Sequence, residues 1–443
     1  MAAIQLSDHF TYKKLLRFVF PSIIMMIFTS IYGVVDGFFV SNYVGEEAFE
    51  AVNFIMPFLM LPGALGFMFG TGGSAIIAHK LGEGDKERAN RYFSLLVYVG
   101  LGLGIVLAAV CIVFLRPIAV FLGADESMLD YCVRYGTIIL CALPALVLQF
   151  MFQSFFVTAE KPKLGLFVTL AAGFTNIILD FFLVGVFRLN IEGAAAATAL
   201  SQAVGGILPL FYFFSKNKSL LRLGKTRWEG RALLNTCING SSELMTNLSM
   251  SLVNMLYNFQ LMKFLGNDGI AAYGTIMYVN FIFVSIFIGF AVGSAPIISF
   301  HYGAGNHAEL KNILKKSIVF NGVCSIAMFL LALALARPLS TLFVGYNPEL
   351  LELTIHGFSL YAIAFLLMGF NIYASSFFTA LGNGVISAAI SFLRTLLFQI
   401  AGVLLLPMIW KADGIWLSIT VAEAAAVILS FVFLMKNRKR YGY

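Results

Sequence analysis

Long apolar runs separated by short polar stretches dominate the chain. Twelve of them lie near residues 15–40, 48–73, 92–115, 134–158, 163–187, 193–214, 233–262, 270–299, 314–336, 354–380, 384–409 and 414–435. Each has roughly the 20 residues that a helix needs to cross the hydrocarbon core of a bilayer. Apolar and polar residues do not alternate within the runs, which excludes the strands of a membrane β-barrel. The pattern predicts an all-α integral membrane protein with twelve transmembrane helices.

The runs form two sets of six, and the sets repeat each other at an offset of 221 residues (Gly82 to Gly303). VGEEAFEAVNFIM (44–56) falls on LGNDGIAAYGTIM (265–277), with Gly45 on Gly266. SAIIAHKLGEGD (74–85) falls on APIISFHYGAGN (295–306), with Gly84 on Gly305. Arg116-Pro117 meets Arg337-Pro338, and Thr158-Ala159 meets Thr379-Ala380. The expected organisation is a six-helix lobe over 1–215, a basic linker over 216–231 and a second six-helix lobe over 232–443, around a central cavity. Internal repeats of this kind are the pattern of secondary transporters, whose substrate sites lie between the repeats.

Composition agrees: 60% of residues are hydrophobic and 12% charged, against about a quarter charged in soluble domains. Mean hydropathy is +0.90. The net charge of +7 comes from one-sided loops. Lys13, Lys14 and Arg17 precede the first run, and Lys80, Lys86, Arg88 and Arg91 follow the second. Lys161 and Lys163 follow the fourth, and Lys216 to Arg231 form the linker. Lys311, Lys315 and Lys316 follow the eighth, and Lys436 to Arg440 end the chain. The positive-inside rule then puts both termini in the cytoplasm, and no nucleic-acid partner is needed to explain the charge. The first run follows Asp8 and lacks a small-residue cleavage site, so it reads as a retained span. Five scattered Cys give no disulfide framework. No GxxxxGK[ST], HExxH, CxxC or GxSxG motif occurs, so the chain is read as neither an ATP-driven pump nor an enzyme, with no cofactor or bound metal.

Ionisable residues inside apolar spans are costly and mark pathways for ions or substrate. Asp36 stands near the outer end of the first run, flanked by Gly33 and Gly37. Asp180 lies eight residues before Arg188, about 12 Å below the outer end of its helix. Asn176 is one turn earlier on the same face. A carboxylate and an amide one turn apart make a polar site able to hold H+ or Na+. Thr198 and Gln202 share one face of the sixth run and reach the same depth, and Gln153 lies nearer the inner side. The repeat does not share this set: Tyr257, Leu397 and Ala401 replace Asp36, Asn176 and Asp180. Glu243, in the inner half of the seventh run, can face the cavity and attract a cation. Arg394 and Glu423 can pair with each other. Pro21 interrupts the first helix and can kink it. Met25, Met56, Met255, Met277, Tyr257, Tyr278 and Phe281 are candidates for the cavity wall, because methionine and aromatic surfaces suit flat lipophilic cations.

SIYGVVDGFFVSNYVGEEAFEAV, GTGGSAIIAHKLGEGDKERA and TNIILDFFLVGVFRLNIEGAAAATALSQ, with the repeat, resemble the multidrug and toxic compound extrusion family over nearly the whole chain. The resemblance implies a twelve-helix carrier that exports an organic cation in exchange for H+ or Na+. It is similar to the DNA-damage-inducible-F-like branch and to the multidrug exporters of Gram-positive bacteria. In that branch Asp36, Asp180, Asn176 and Thr198 match the coupling-ion site, and Pro21 matches a bending proline. A second Asn of that network is Gln153 here. In another branch a seventh-helix acid matches Glu243, but its tenth-helix partner has no equivalent here. The expectation is a monomeric multi-pass antiporter of the bacterial cytoplasmic membrane that touches lipid and a small cationic substrate. Asp36, Glu243, Met255, Tyr257, Met277 and Tyr278 are the expected substrate contacts. A flippase for a lipid-linked precursor and an exporter of an endogenous metabolite are the alternatives.

Overall fold

The computed structural model describes residues 4–44 and 46–443; Gly45, one of the repeat anchors, lies outside them. Among the described residues all regular structure is helical. The first half holds α1 (Tyr12–Tyr43), α2 (Glu46–Gly82), α3 (Lys86–Leu122), α4 (Glu126–Cys141), α5 (Leu143–Thr158), α6 (Pro162–Leu179) and α7 (Asn190–Phe214). The second holds α8 (Gly230–Gly303), α9 (His307–Val344), α10 (Pro348–Ala362), α11 (Phe365–Ala380), α12 (Gly384–Phe392), α13 (Phe398–Leu405) and α14 (Pro407–Tyr441).

The helices resolve into twelve spans. At 74 residues, α8 would run about 110 Å if straight, several times the roughly 30 Å hydrocarbon core. It breaks at Gly266, whose φ of 64° is open to glycine at no steric cost, and so makes two spans. The runs expected to be unbroken at 134–158 and 354–380 are each two helices. α4 and α5 meet at 53°, and α10 and α11 at 46°. Pro144, the second residue of α5, has no N–H for the preceding turn. At the other bend the turn tightens, with the Ala364 N–H bonding the Tyr361 carbonyl at 3.0 Å.

The repeat is visible in the local structure. Gly84 (φ 84°) and Gly305 (φ 68°) make the same left-handed turn. The next residue caps the third helix of each lobe, Asp85 accepting from the Arg88 N–H and Asn306 from the Glu309 N–H. Each side chain satisfies an N–H that the first turn leaves unpaired. Each lobe also carries a π-helical stretch in its fifth span. Asp180–Val186 extends α6, and Leu393–Leu397 joins α12 to α13. Insertions of this kind are frequent at functional sites.

Each lobe has its own core, built on Phe93, Phe152, Phe155 and Phe213 in the first and on Tyr257, Tyr273, Phe365 and Trp416 in the second. The lobes meet at their basic-rich ends through glycines. Gly289 and Gly293 of α8 lie on Val19, Ser22 and Ile23 of α1, while Gly240 of α8 lies on Met68 of α2 and Gly72 on Thr236 and Gly240. These two crossings are repeat mates, since Val19 and Met68 become Gly240 and Gly289 at the offset. Gly82 sits on the backbone of Phe300, and its mate Gly303 on the backbone of His79. Only a residue without Cβ lets the backbones approach this closely.

The linker is fastened to the first lobe. The Arg222 N–H bonds Asn90 Oδ1 at 2.6 Å, the Gly224 N–H bonds Ser94 Oγ at 3.0 Å, and the Thr226 hydroxyl bonds the Arg91 carbonyl at 2.8 Å, all along the basic-rich end of α3. Leu221 and Leu223 are buried beneath it.

Candidate functional site

Three helices bring the first lobe's polar residues together. α1 presses against α6 where Gly173 makes room for the rings of Phe28 and Tyr32. Two turns further along α1, Asp36 reaches across to α6 and α7. Its Oδ1 accepts from the Thr198 hydroxyl at 3.2 Å and from Asn176 Nδ2 at 3.4 Å. Asn176 Nδ2 also lies 3.4 Å from the Thr198 oxygen. Asp36 is therefore tied to α6 and α7 and is half-buried.

Asp180 is the first residue of the π stretch and is 0% exposed. Asp36 lies within its electrostatic range. Neither oxygen of Asp180 has a hydrogen-bond donor, and the Asn176 carbonyl oxygen is likewise unpartnered. Buried polar groups are nearly always paired, and leaving one unpaired costs about 1–3 kcal/mol. Other buried polar atoms of this lobe are also without partners. Gln202 Oε1, Gln149 Oε1, the Tyr135 hydroxyl and both amide atoms of Gln153 are buried without partners. Two neighbouring carboxyls with the Asn176 amide oxygen and the Thr198 hydroxyl beside them are hard oxygen groups of the kind that bind a small hard cation.

Reading the sequence missed Tyr32, Tyr135 and Gln149. Tyr135 lies within electrostatic range of both acids, and Tyr32 of Asp36 and within reach of Gln149. The available signal was the amide of Gln149, one turn before Gln153.

The second lobe is arranged differently. Arg394 stands on its π stretch, and its Nε donates to both oxygens of Glu423 on α14, at 2.8 and 2.9 Å. Asn371 of α11 donates to Glu423 Oε2 at 2.7 Å, and Ser430 donates to Asn371 Oδ1 at 3.0 Å. The expected pairing of Arg394 with Glu423 is thus present, inside a wider network. Glu243 is half-buried with Arg394 as its charged neighbour.

The cavity-wall residues do not converge on one surface. Tyr257 is 2% exposed and stacks on Tyr273, with ring centroids 5.1 Å apart. It belongs to the second lobe's core, because its side chain shares the buried face of Val253. Met277 packs against the same core, and Met25 is buried. Met255, on the opposite face of the helix, is 72% exposed. Tyr278 is exposed and stacks on Phe343 of α9 at 5.7 Å. Pro21 is buried within α1, where its ring has no N–H to donate to the preceding turn. No group of three or more His, Cys, Asp and Glu placed to hold a metal ion occurs among the described residues.

The MatE family model matches the chain twice, over residues 21–182 and 244–405. The chain belongs to the MatE family. The double match coincides with the internal repeat and makes this a multi-pass membrane transporter, not an enzyme. Among curated relatives of this MatE chain, Multidrug export protein MepA of Staphylococcus saprophyticus is 26% identical over 442 residues, spanning 96% of this chain and 94% of the relative. The protein of the same name from Staphylococcus aureus strain MRSA252 is 26% identical over 445 residues, with the same coverage. Among solved structures, a MATE in complex with MaL6 superposes with a TM-score of 0.93 at 21% identity, covering 100% of this chain and 99% of that one. A MOP superfamily transporter from Pyrococcus furiosus Vc1, described as having a binding pocket of reverse polarity, superposes with a TM-score of 0.92 at 21% identity, covering 100% and 99%. These superpositions show that this MatE chain has the fold.

Proposed function

We propose that the chain is a secondary antiporter that exports lipophilic organic cations, drugs and dyes among them, in exchange for H+ or Na+. One observation carries this reading: Asp180 is buried without a donor and the half-buried Asp36 is its charged neighbour. Two carboxyls in a low-dielectric bundle repel each other unless a cation is held between them. Asp36, Asp180, Asn176 and Thr198 are the coupling-ion ligands in this reading, with Gln153 and Gln202 at the edge of the site. The names of the staphylococcal relatives support multidrug export.

The basic loops place both termini on the cytoplasmic side of a bacterial membrane. The glycine crossings join the lobes at that end, which supports a substrate path that opens to the outside. The coupling cation enters from outside, binds the acids and weakens the hold on the drug, which leaves. Reciprocal coupling of about 1–3 kcal/mol between ion and drug is enough for exchange. Asp36, Glu243 and Met255 remain the candidate contacts for a cationic drug. A lipid-pyrophosphate flippase would need a free cation inside a span, and Arg394 is taken up by Glu423.

Ethidium efflux from proteoliposomes, driven by an imposed pH or Na+ gradient, tests the reading. Wild type should export under one gradient, and Asp180→Asn should not. Efflux by the variant at the wild-type rate would overturn the assignment of the acids.

A further inference from the structure

A hollow of about 640 Å³ lies at the basic-rich end of the first lobe, between the start of α1 and the start of α6. It falls within the roughly 300–1,000 Å³ of small-molecule sites. Its walls are of two kinds. Phe18 and Pro21 of α1 and Leu164 and Phe167 of α6 make an apolar side, and Arg17, Lys161 and Lys163 make a cationic rim. Glu160 is the one carboxylate in the lining, and its Oε1 already accepts the Leu6 N–H at 2.6 Å. Lys161 and Lys163, on the α6 side, thus bring two cations against this one acid.

The α6 N-terminus opens on the same hollow. Its cap residue is Lys161, which supplies no side-chain hydrogen bond; Pro162 has no N–H and the Leu164 N–H bonds the Lys161 carbonyl at 3.0 Å, so the Lys163 N–H is the first-turn donor left for another acceptor. Helix N-termini of this kind favour anions. Phe167 is exposed on the membrane-facing side of α6, one turn beyond Lys163.

We propose that this hollow binds an anionic phospholipid of the cytoplasmic leaflet. The headgroup phosphate sits against Lys161, Lys163 and the α6 N-terminus, with Arg17 on the opposite wall. An acyl chain lies along Phe18, Leu164 and Phe167. Basic pockets between helices at the cytoplasmic surface are suited to such headgroups. The leaflet rests on the orientation proposed above; the site itself does not depend on the exchange mechanism. Because Arg17, Phe18 and Pro21 belong to α1, the bound lipid touches the helix that carries Asp36.

The test is native mass spectrometry of the whole protein released from nanodiscs of equal parts POPG and POPC. Wild type should retain one POPG in preference to POPC. Lys161→Gln/Lys163→Gln should lower the POPG-bound fraction roughly tenfold or more, while Lys311→Gln/Lys315→Gln, with the same net charge on exposed positions of α9, should leave it unchanged. Equal retention of POPG and POPC by wild type, or an equal loss in both double variants, overturns the proposal. Whichever result is obtained, ethidium efflux by the same samples reports separately on the antiport reading.

Discussion

The two lobes share a fold and differ in how they treat buried charge. In the second, Glu423 is matched by both Arg394 and Asn371, so the network is closed by the protein itself. In the first, Asp36 has neutral donors and Asp180 has none, so the protein itself leaves the network open. A π-helical stretch in the fifth span, at a different level in each lobe, presents an arginine in one lobe and an acid in the other. A duplicated scaffold thus yields one lobe whose buried carboxylate is paired by the protein and one whose buried carboxylate has no donor.

The sharpest way to break this comparison is Arg394→Gln. If the second network is structural, the change leaves Glu423 buried without its counter-charge and should cost about 3–5 kcal/mol, read as a lowered thermal midpoint in detergent. Unchanged stability with altered ion coupling would move the ion site to the second lobe. Asp180→Asn should act with the opposite sign. It removes an unpaired acid, so stability should rise by about 1–3 kcal/mol while gradient-driven efflux falls on the order of 100-fold. A variant that loses stability and efflux together would mark Asp180 as a packing residue.

Gly82→Ala and Gly303→Ala probe what the lobes have in common. Each Cβ would press on a carbonyl of the opposite lobe, and overpacking of this kind costs about 1–3 kcal/mol. As repeat mates the two should be equally harmful, and a large difference in thermal midpoint would show that the lobe contact is not symmetric. Thr198→Val is the mildest change. It removes one donor to Asp36 and should cost about 1 kcal/mol of ion affinity, seen as a roughly fivefold shift in the ion concentration giving half-maximal efflux.

Most of the architecture was legible because its causes are local. Run length located the spans, and the 221-residue offset located the two matches to one family model. Asn176 and Asp180 were legible because one helical turn separates them, and Thr198 because depth along its helix matched theirs. The π stretch was not legible, since DFFLVGV carries no Pro or Gly pair at its start and the distortion arises from packing. Pro144 signalled the α4–α5 bend, whereas the α10–α11 bend at YAIAF has no such residue. Tyr135 was hidden among 17 tyrosines; its proximity to the acids is a property of the assembled bundle. The same holds for Tyr257, whose aromatic ring suited a cavity wall until its neighbours placed it in a core.

The glycine crossings have a consequence for ancestry. Each half offers the other the same pair of surfaces, which is the isologous arrangement of a twofold dimer. An unfused six-helix ancestor carrying those glycines would already have had a partner in a second copy of itself. Fusion through the linker then freed the copies from being identical, and one could keep its acids while the other replaced them.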